Sequence, residues 1–119
     1  MPQACRILIF LLFSVNTFGN VTISPSDIDF GDLSIGDSSH ETVYIENEIG
    51  ERIEIEDISF FGDSSINVSS YCPDYLGPYQ ECEIEVEVDC DEFGEYEGSI
   101  DLELGAHGYE TIFIYGECS

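Results

Sequence analysis

Ten residues constrain this chain more than any others: from position 81 to 90, Glu81, Glu83, Glu85, Glu87 and Asp89 alternate without a break with Cys82, Ile84, Val86, Val88 and Cys90. Strand side chains point alternately to opposite faces, so this pattern is a β-strand with one carboxylate face and one apolar, cysteine-bounded face. Such a strand needs a second layer over its apolar side, and the chain supplies several more strands of the same kind. The expectation is an antiparallel β-sandwich.

The first residues fall outside that pattern. Arg6 precedes an apolar run at positions 7–13, followed by Ser14, Val15 and small or polar residues up to Gly19. That is the order of a secretory signal peptide, and the run is too short to span a bilayer. Residues 1–19 are therefore read as a signal peptide and 20–119 as one domain, an N-terminal strand or uncleaved anchor being the alternative. The expected location is secreted, extracellular or periplasmic, with no transmembrane segment in the mature part.

About 100 mature residues suffice for one immunoglobulin-like sandwich. All 26 acidic residues lie in this part and Arg52 is its single basic one, so its formal charge is 1 − 26 = −25. Such a field repels phosphate backbones and anionic lipid, which argues against nucleic-acid partners and favours cations or cationic partners. Cys72, Cys82, Cys90 and Cys118 remain after Cys5 leaves with the signal. Four cysteines in a small secreted domain read as a disulfide framework with three possible pairings, and no short CxxC spacing supports zinc.

Turn signals recur about every ten residues. Val21 and Ile23 open the domain; Pro25 interrupts them, and Ile28 and Phe30 continue, as in an edge strand split in two. Val43 and Ile45 mark the next strand, closed by a turn at positions 47–50. Ile53 and Ile55 then share a face until the apolar parity shifts to Ile58 and Phe60, which implies a bulge or a change of sheet near Asp57. A short strand at positions 66–68 follows, and then a loop at 72–80 holding Pro73, Gly77 and Pro78. After the alternating strand come a turn at 91–95, a strand at 96–104, a hairpin loop at 105–108 and a last strand at 109–116. No helix is visible, and the fold class is all-β: an immunoglobulin-like antiparallel β-sandwich of about seven strands, preceded by a signal peptide. Trp is absent, so this is not the antibody lineage with its buried Trp.

Residues Ile23-Ser24-Pro25, Ile28-Asp29-Phe30-Gly31-Asp32, Ile35-Gly36, Ile45-Glu46-Asn47, Ile53-Glu54-Ile55, Cys82-Glu83-Ile84-Glu85-Val86 and Tyr96-Glu97-Gly98 together resemble the abnormal-spindle/hydin-type (ASH) immunoglobulin-like domain, and most of all its secreted bacterial choice-of-anchor D repeats. The resemblance covers residues 21–117. It implies a non-catalytic module for protein interaction or surface architecture, with no catalytic residues to carry over. Where the family has an aromatic and then a proline after the alternating strand, this chain has Val88 and Cys90; where the family ends in Gly-x-Gly, it has Gly116-Glu117-Cys118. In a sandwich of that connectivity Cys90 and Cys118 meet at one pole, and Cys72 with Cys82 closes the loop as paired cysteines do at those family positions.

Other chemistry finds less support. His40 and His107 fall at positions read as loop or turn, no lysine is present, and no serine is flanked by glycines, so no nucleophile with base and orienting group is assembled. The expectation is a protein that is not an enzyme and needs no cofactor. Calcium is the alternative function, as an acidic extracellular calcium-binding module, because hard cations want clustered oxygen ligands. Its candidates are Asp89, Asp91, Glu92 and Glu95, beside the carboxylates near Asp27, Asp29 and Asp32. Asp89, Asp91 and Gly94 fit part of an EF-hand loop, but Phe93 occupies a ligand position and Ile100 stands in place of the bidentate Glu. The glutamate row also has a simpler role, discouraging association of β-rich surfaces, and its self-repulsion predicts greater stability in added salt or calcium. Asn20 and Asn67 begin N-glycosylation sequons.

Overall fold

In a computed structural model the described residues are 16–18 and 21–119. Most of the expected signal segment, and the sequon residue Asn20, lie outside them; Asn16–Phe18 forms a short strand, β1, paired with Val21–Ser24. The described chain is built almost wholly of strands. After β1 come β2 (Val21–Ser24), β3 (Asp27–Leu33), β4 (Ser38–Asn47), β5 (Ile53–Glu54), β6 (Asp57–Gly62), β7 (Ile66–Ser70), β8 (Tyr75–Leu76), β9 (Glu81–Asp89), β10 (Gly94–Glu103) and β11 (Tyr109–Cys118). A single 3-10 turn, Gly105–His107, links the last two. One sheet has the order β1-β2-β4-β9-β7, the second β3-β11-β10-β6, and β5 with β8 forms a two-strand ladder.

The alternating sequence does what its period demands. In β9 every Glu from 81 to 87 is exposed, while Ile84, Val86 and Val88 are fully buried. They face Ile100, Leu102, Ile112 and Ile114 of the second sheet, also fully buried. Each such side chain removed from water contributes about 1.5–3 kcal/mol, so the two inner faces hold the layers together. Where bulk is needed beside a bare backbone, glycine supplies the room: a Cβ at Gly98 would come within 2.8 Å of the Phe60 ring, which leans over it.

Several details depart from the sequence reading. The segment broken at Pro25 is not one edge strand in two pieces: β2 lies inside the first sheet and β3 at the edge of the second. Proline has no amide hydrogen with which to continue the β2 ladder, and the chain crosses between layers there. The Ser24–Pro25 peptide is cis. β3 then runs parallel to β11, a parallel ladder in a sandwich whose other pairings are antiparallel. The parity shift near Asp57 is a change of sheet, because β5 pairs with β8 while β6 joins β10. The loop at 72–80 contains β8, whose Leu76 is buried against the core. His40 belongs to strand β4 rather than to a turn.

Asn47 explains how that loop is held. Its side chain is fully buried; Nδ2 donates to the carbonyls of Glu51, Leu76 and Gly77 at 2.8, 3.1 and 2.9 Å, and Oδ1 accepts from the Ile49 amide at 3.1 Å. An apolar residue there would orphan several buried backbone groups, each costing about 1–3 kcal/mol. No helix among the described residues is long and apolar enough to cross a membrane.

Candidate interaction surface

Each sheet turns an outer face to solvent, and the two faces differ. On the first, the β9 carboxylates stand opposite β4: Glu81 pairs with Glu46, Glu83 with Tyr44, Glu85 with Thr42 and Glu87 with His40. Directly opposed side chains on neighbouring strands have Cβ atoms about 4.5–5.5 Å apart, so the Glu81–Glu46 pair is repulsive and the Glu87–His40 pair is not. Arg52, the one basic side chain besides histidine among the described residues, does not reach this face. Its guanidinium lies 4.2 Å from the centre of the Tyr75 ring, a cation–π contact on the β5–β8 ladder.

The outer face of the second sheet carries aromatic rings. Register places Phe61, Ser99, Phe113 and Asp27 in one row across β6, β10, β11 and β3, and Glu97, Tyr115 and Asp29 in the next. Phe61, Phe113 and Tyr115 are 60%, 56% and 44% exposed, so these rings lie open to water instead of completing a core. They line an open groove of about 1000 Å³ together with Asp27, Asp63 and Glu97. Two of these carboxylates are tied to the sheet: Asp63 Oδ2 accepts the Glu97 amide at 2.7 Å, and Asp27 Oδ1 accepts the Phe113 amide at 3.4 Å. Further along the face, the Tyr109 hydroxyl donates to Asp101 Oδ2 at 3.5 Å and Thr111 to Asp101 Oδ1 at 3.0 Å. The negative charge of Asp101 raises the Tyr109 pKa above its ordinary 10.0, with smaller contributions from burial and Glu103.

Sequence reasoning did not find this face, although a signal was present. Ile112, Phe113, Ile114 and Tyr115 place apolar groups on both sides of one strand, and Phe60 with Phe61 does the same on β6. A strand that is apolar on both faces in a two-layer sandwich must show one of them to solvent or to a partner.

The cysteines named from the sequence sit at two places. Cys72 and Cys82 are bonded, with S–S 2.04 Å and Cα–Cα 5.0 Å, and fasten the loop after β7 to the start of β9. Cys90 and Cys118 are bonded with Cα–Cα 5.7 Å, both buried, joining the ends of β9 and β11. The calcium candidates are spread out: Asp89 closes β9, Asp91 and Glu92 are exposed in the turn, and Glu95 is exposed on β10. Asp89 Oδ2 accepts the Asn67 side-chain amide at 3.4 Å, which also orients that exposed sequon residue on the edge strand β7. Among the described residues no group of three or more His, Cys, Asp or Glu is placed to hold a metal ion, so the partial EF-hand pattern gains no assembled cage. His40 is exposed beside Glu87, and His107 lies half-buried in the 3-10 turn.

No protein-family model matches this sequence, and no curated protein resembles it by sequence. Solved structures do. The ASH/PapD-like domain 7 of human CEP192 superposes with a TM-score of 0.63 at 11% identity, covering 84% of this chain and 85% of that one. A protein of unknown function from Porphyromonas gingivalis W83 gives 0.68 at 13% identity over 89% of this chain and 51% of that one. The VesB protease of Vibrio cholerae gives 0.61 at 16% identity over 85% of this chain. This chain therefore spans about half of the Porphyromonas protein and 32% of VesB. At such identities the likeness is one of architecture, and the architecture is an all-β immunoglobulin-like sandwich.

Proposed function

We propose that this chain is a secreted, non-enzymatic immunoglobulin-like module that binds a protein or surface component through the outer face of its β3-β11-β10-β6 sheet. The observation that carries the reading is the group of exposed rings Phe61, Phe113 and Tyr115, lined with carboxylates, on the same face as the exposed Tyr109. Large apolar side chains clustered in the open are a feature of contact surfaces, where aromatic residues supply most of the energy. The ASH resemblance implies a non-catalytic module, and the apolar run behind Arg6 together with two disulfides supports an oxidising compartment outside the cytosol.

The test is site-specific photo-crosslinking in the medium into which the chain is released. A benzoylphenylalanine at position 113 should give a discrete adduct that excess unlabelled wild-type chain competes away and a Phe61→Ser/Phe113→Ser chain does not. The same probe at position 85, on the opposite sheet, should give none. Equal labelling from both positions, or none from either, would refute the assignment of this face.

A further inference from the structure

The chemistry of the aromatic face also specifies what it holds. Resting on the reading of that face as the contact site, we infer that its occupant is an extended, arginine-rich segment of another protein, lying flat across the sheet with guanidinium groups over the rings and against the flanking carboxylates.

Three observations lead there. First, two of the three rings have an acid directly opposite: Asp27 pairs with Phe113 in register, and Asp29 pairs with Tyr115, which also faces Glu97. Among the described residues the groove has no basic lining residue, and Arg52 is engaged with Tyr75. Second, any partner that covers the rings also takes these carboxylates out of water. A neutral or acidic partner leaves them without countercharge, and a second copy of this chain, with 26 acidic residues against two basic ones, brings like charge onto like. An anionic bilayer is repelled for the same reason. A guanidinium satisfies both halves of the surface, because it stacks on an aromatic face and presents a planar fork to a carboxylate; an ammonium does only the second well. Third, the spacing suits an extended chain. Phe113 and Tyr115 are two residues apart on one strand, about 6.8 Å, which is the repeat of side chains on one side of an extended peptide, so arginines at alternate positions fall on successive rings.

The experiment uses the full chain, disulfides intact, and fluorescein-labelled short peptides in which serine alternates with arginine, lysine, glutamine or glutamate, read by fluorescence anisotropy. The arginine peptide should bind most tightly and the lysine peptide more weakly. Phe61→Ser/Phe113→Ser should weaken arginine-peptide binding by about tenfold or more, since two ring contacts are lost. These side chains are exposed and their loss does not open the core. Asp29→Asn/Glu97→Gln removes the charge at nearly constant shape, keeping one acceptor oxygen on each side chain, and should also weaken binding severalfold. Glu83→Gln/Glu85→Gln removes the same charge from the opposite sheet and should change it by less than about twofold, in keeping with screening over more than a Debye length.

Equal weakening by the two charge-matched pairs would mean diffuse attraction and would overturn the inference. So would equal affinity for lysine and arginine peptides. If glutamine or glutamate peptides bind best and Phe61→Ser/Phe113→Ser abolishes that binding, the arginine assignment falls while the face stands as a contact site. Self-association in sedimentation that disappears in Phe61→Ser/Phe113→Ser would make a second copy the occupant and likewise overturn it. If the ring substitutions leave peptide binding unchanged and the Phe61→Ser/Phe113→Ser chain competes for the crosslink at position 113 as well as wild type does, both readings fall.

Discussion

Tyr96 is the residue at which this fold leaves a polar group unmatched. Its ring is inside the sandwich, 4% exposed, and its hydroxyl has no hydrogen-bond partner among the described residues. The hydroxyl packs against Gly116, where a Cβ would collide with it, so glycine at that position makes room for a phenol. An unmade hydrogen bond on a buried hydroxyl costs about 1–3 kcal/mol. Burial, and then the negative charges of Asp29 and Asp32, raise the Tyr96 pKa above its ordinary 10.0. The folded chain thus holds that proton more tightly than the unfolded one does. Its contribution to stability is complete below pH 10.0 and is lost as pH rises through the higher folded value. Tyr96→Phe should therefore raise stability by about 1 kcal/mol at pH 7 and reduce the loss seen at alkaline pH. Urea unfolding of both chains at pH 7 and pH 11 measures this; a destabilised Tyr96→Phe at pH 7 would show that the hydroxyl has a partner. Tyr109 is also raised, by Asp101, but it stands in solvent, so it should leave only a weak alkaline dependence in the variant.

At the scale of elements, the two disulfides do different jobs. Cys72–Cys82 closes a loop of sequence separation 10 on one edge, whereas Cys90–Cys118 spans 28 residues and ties the end of β9 to the end of β11, one strand from each sheet. The second is therefore a clasp between layers. In the chain-entropy view it stabilises by roughly 3–4 kcal/mol, and the first by somewhat less. Cys90→Ala/Cys118→Ala should lose about that amount in chemical denaturation, and non-reducing peptide mapping of the wild type should find only the 72–82 and 90–118 linkages. A peptide joining Cys72 to Cys90 would refute the clasp. What could be read beforehand follows the same division between strong and weak patterns. β9 was legible because five acids and five inward residues alternate with period two, and a parity shift near Asp57 signalled a bulge or a change of sheet, which the strand pairing resolves as the latter. β8 was not, since two residues have no period and Leu76 is surrounded by Pro73, Gly77 and Pro78. Asn47 reads equally well as a turn residue; its role as a buried bracket comes from carbonyls 29 and 30 residues away. The aromatic face was hidden for a further reason: apolar groups on both parities of β11 match a doubly covered strand as well as an exposed patch, and only the two-layer assembly separates these.

For the molecule as a whole, charge opposes the fold that hydrophobic patterning creates. The 26 acidic side chains face two arginines in the entire chain, one of them stacked on Tyr75. Neighbouring carboxylates on β9, about 6.8 Å apart, repel by roughly 0.6 kcal/mol per pair in water before screening. Each pair is tolerable alone, but the row sums, and the unfolded chain relieves it by spreading out. The Debye length falls from about 10 Å at 0.1 M to about 3 Å at 1 M salt, so raising sodium chloride over that range should remove most of the row's cost. One to two kcal/mol recovered in a domain of this size corresponds to a rise in melting temperature of roughly 4–16 °C. Glu83→Gln/Glu85→Gln should melt higher than wild type at low salt and gain less from added salt, because part of the repulsion is already gone. Calcium chloride at matched ionic strength tests whether chelation adds to screening: a shift equal to that of sodium chloride is expected from the dispersed positions of Asp89, Asp91, Glu92 and Glu95. A melting temperature indifferent to sodium chloride would mean that the acidic surface costs the fold nothing, and the excess of carboxylates would then need a different physical account.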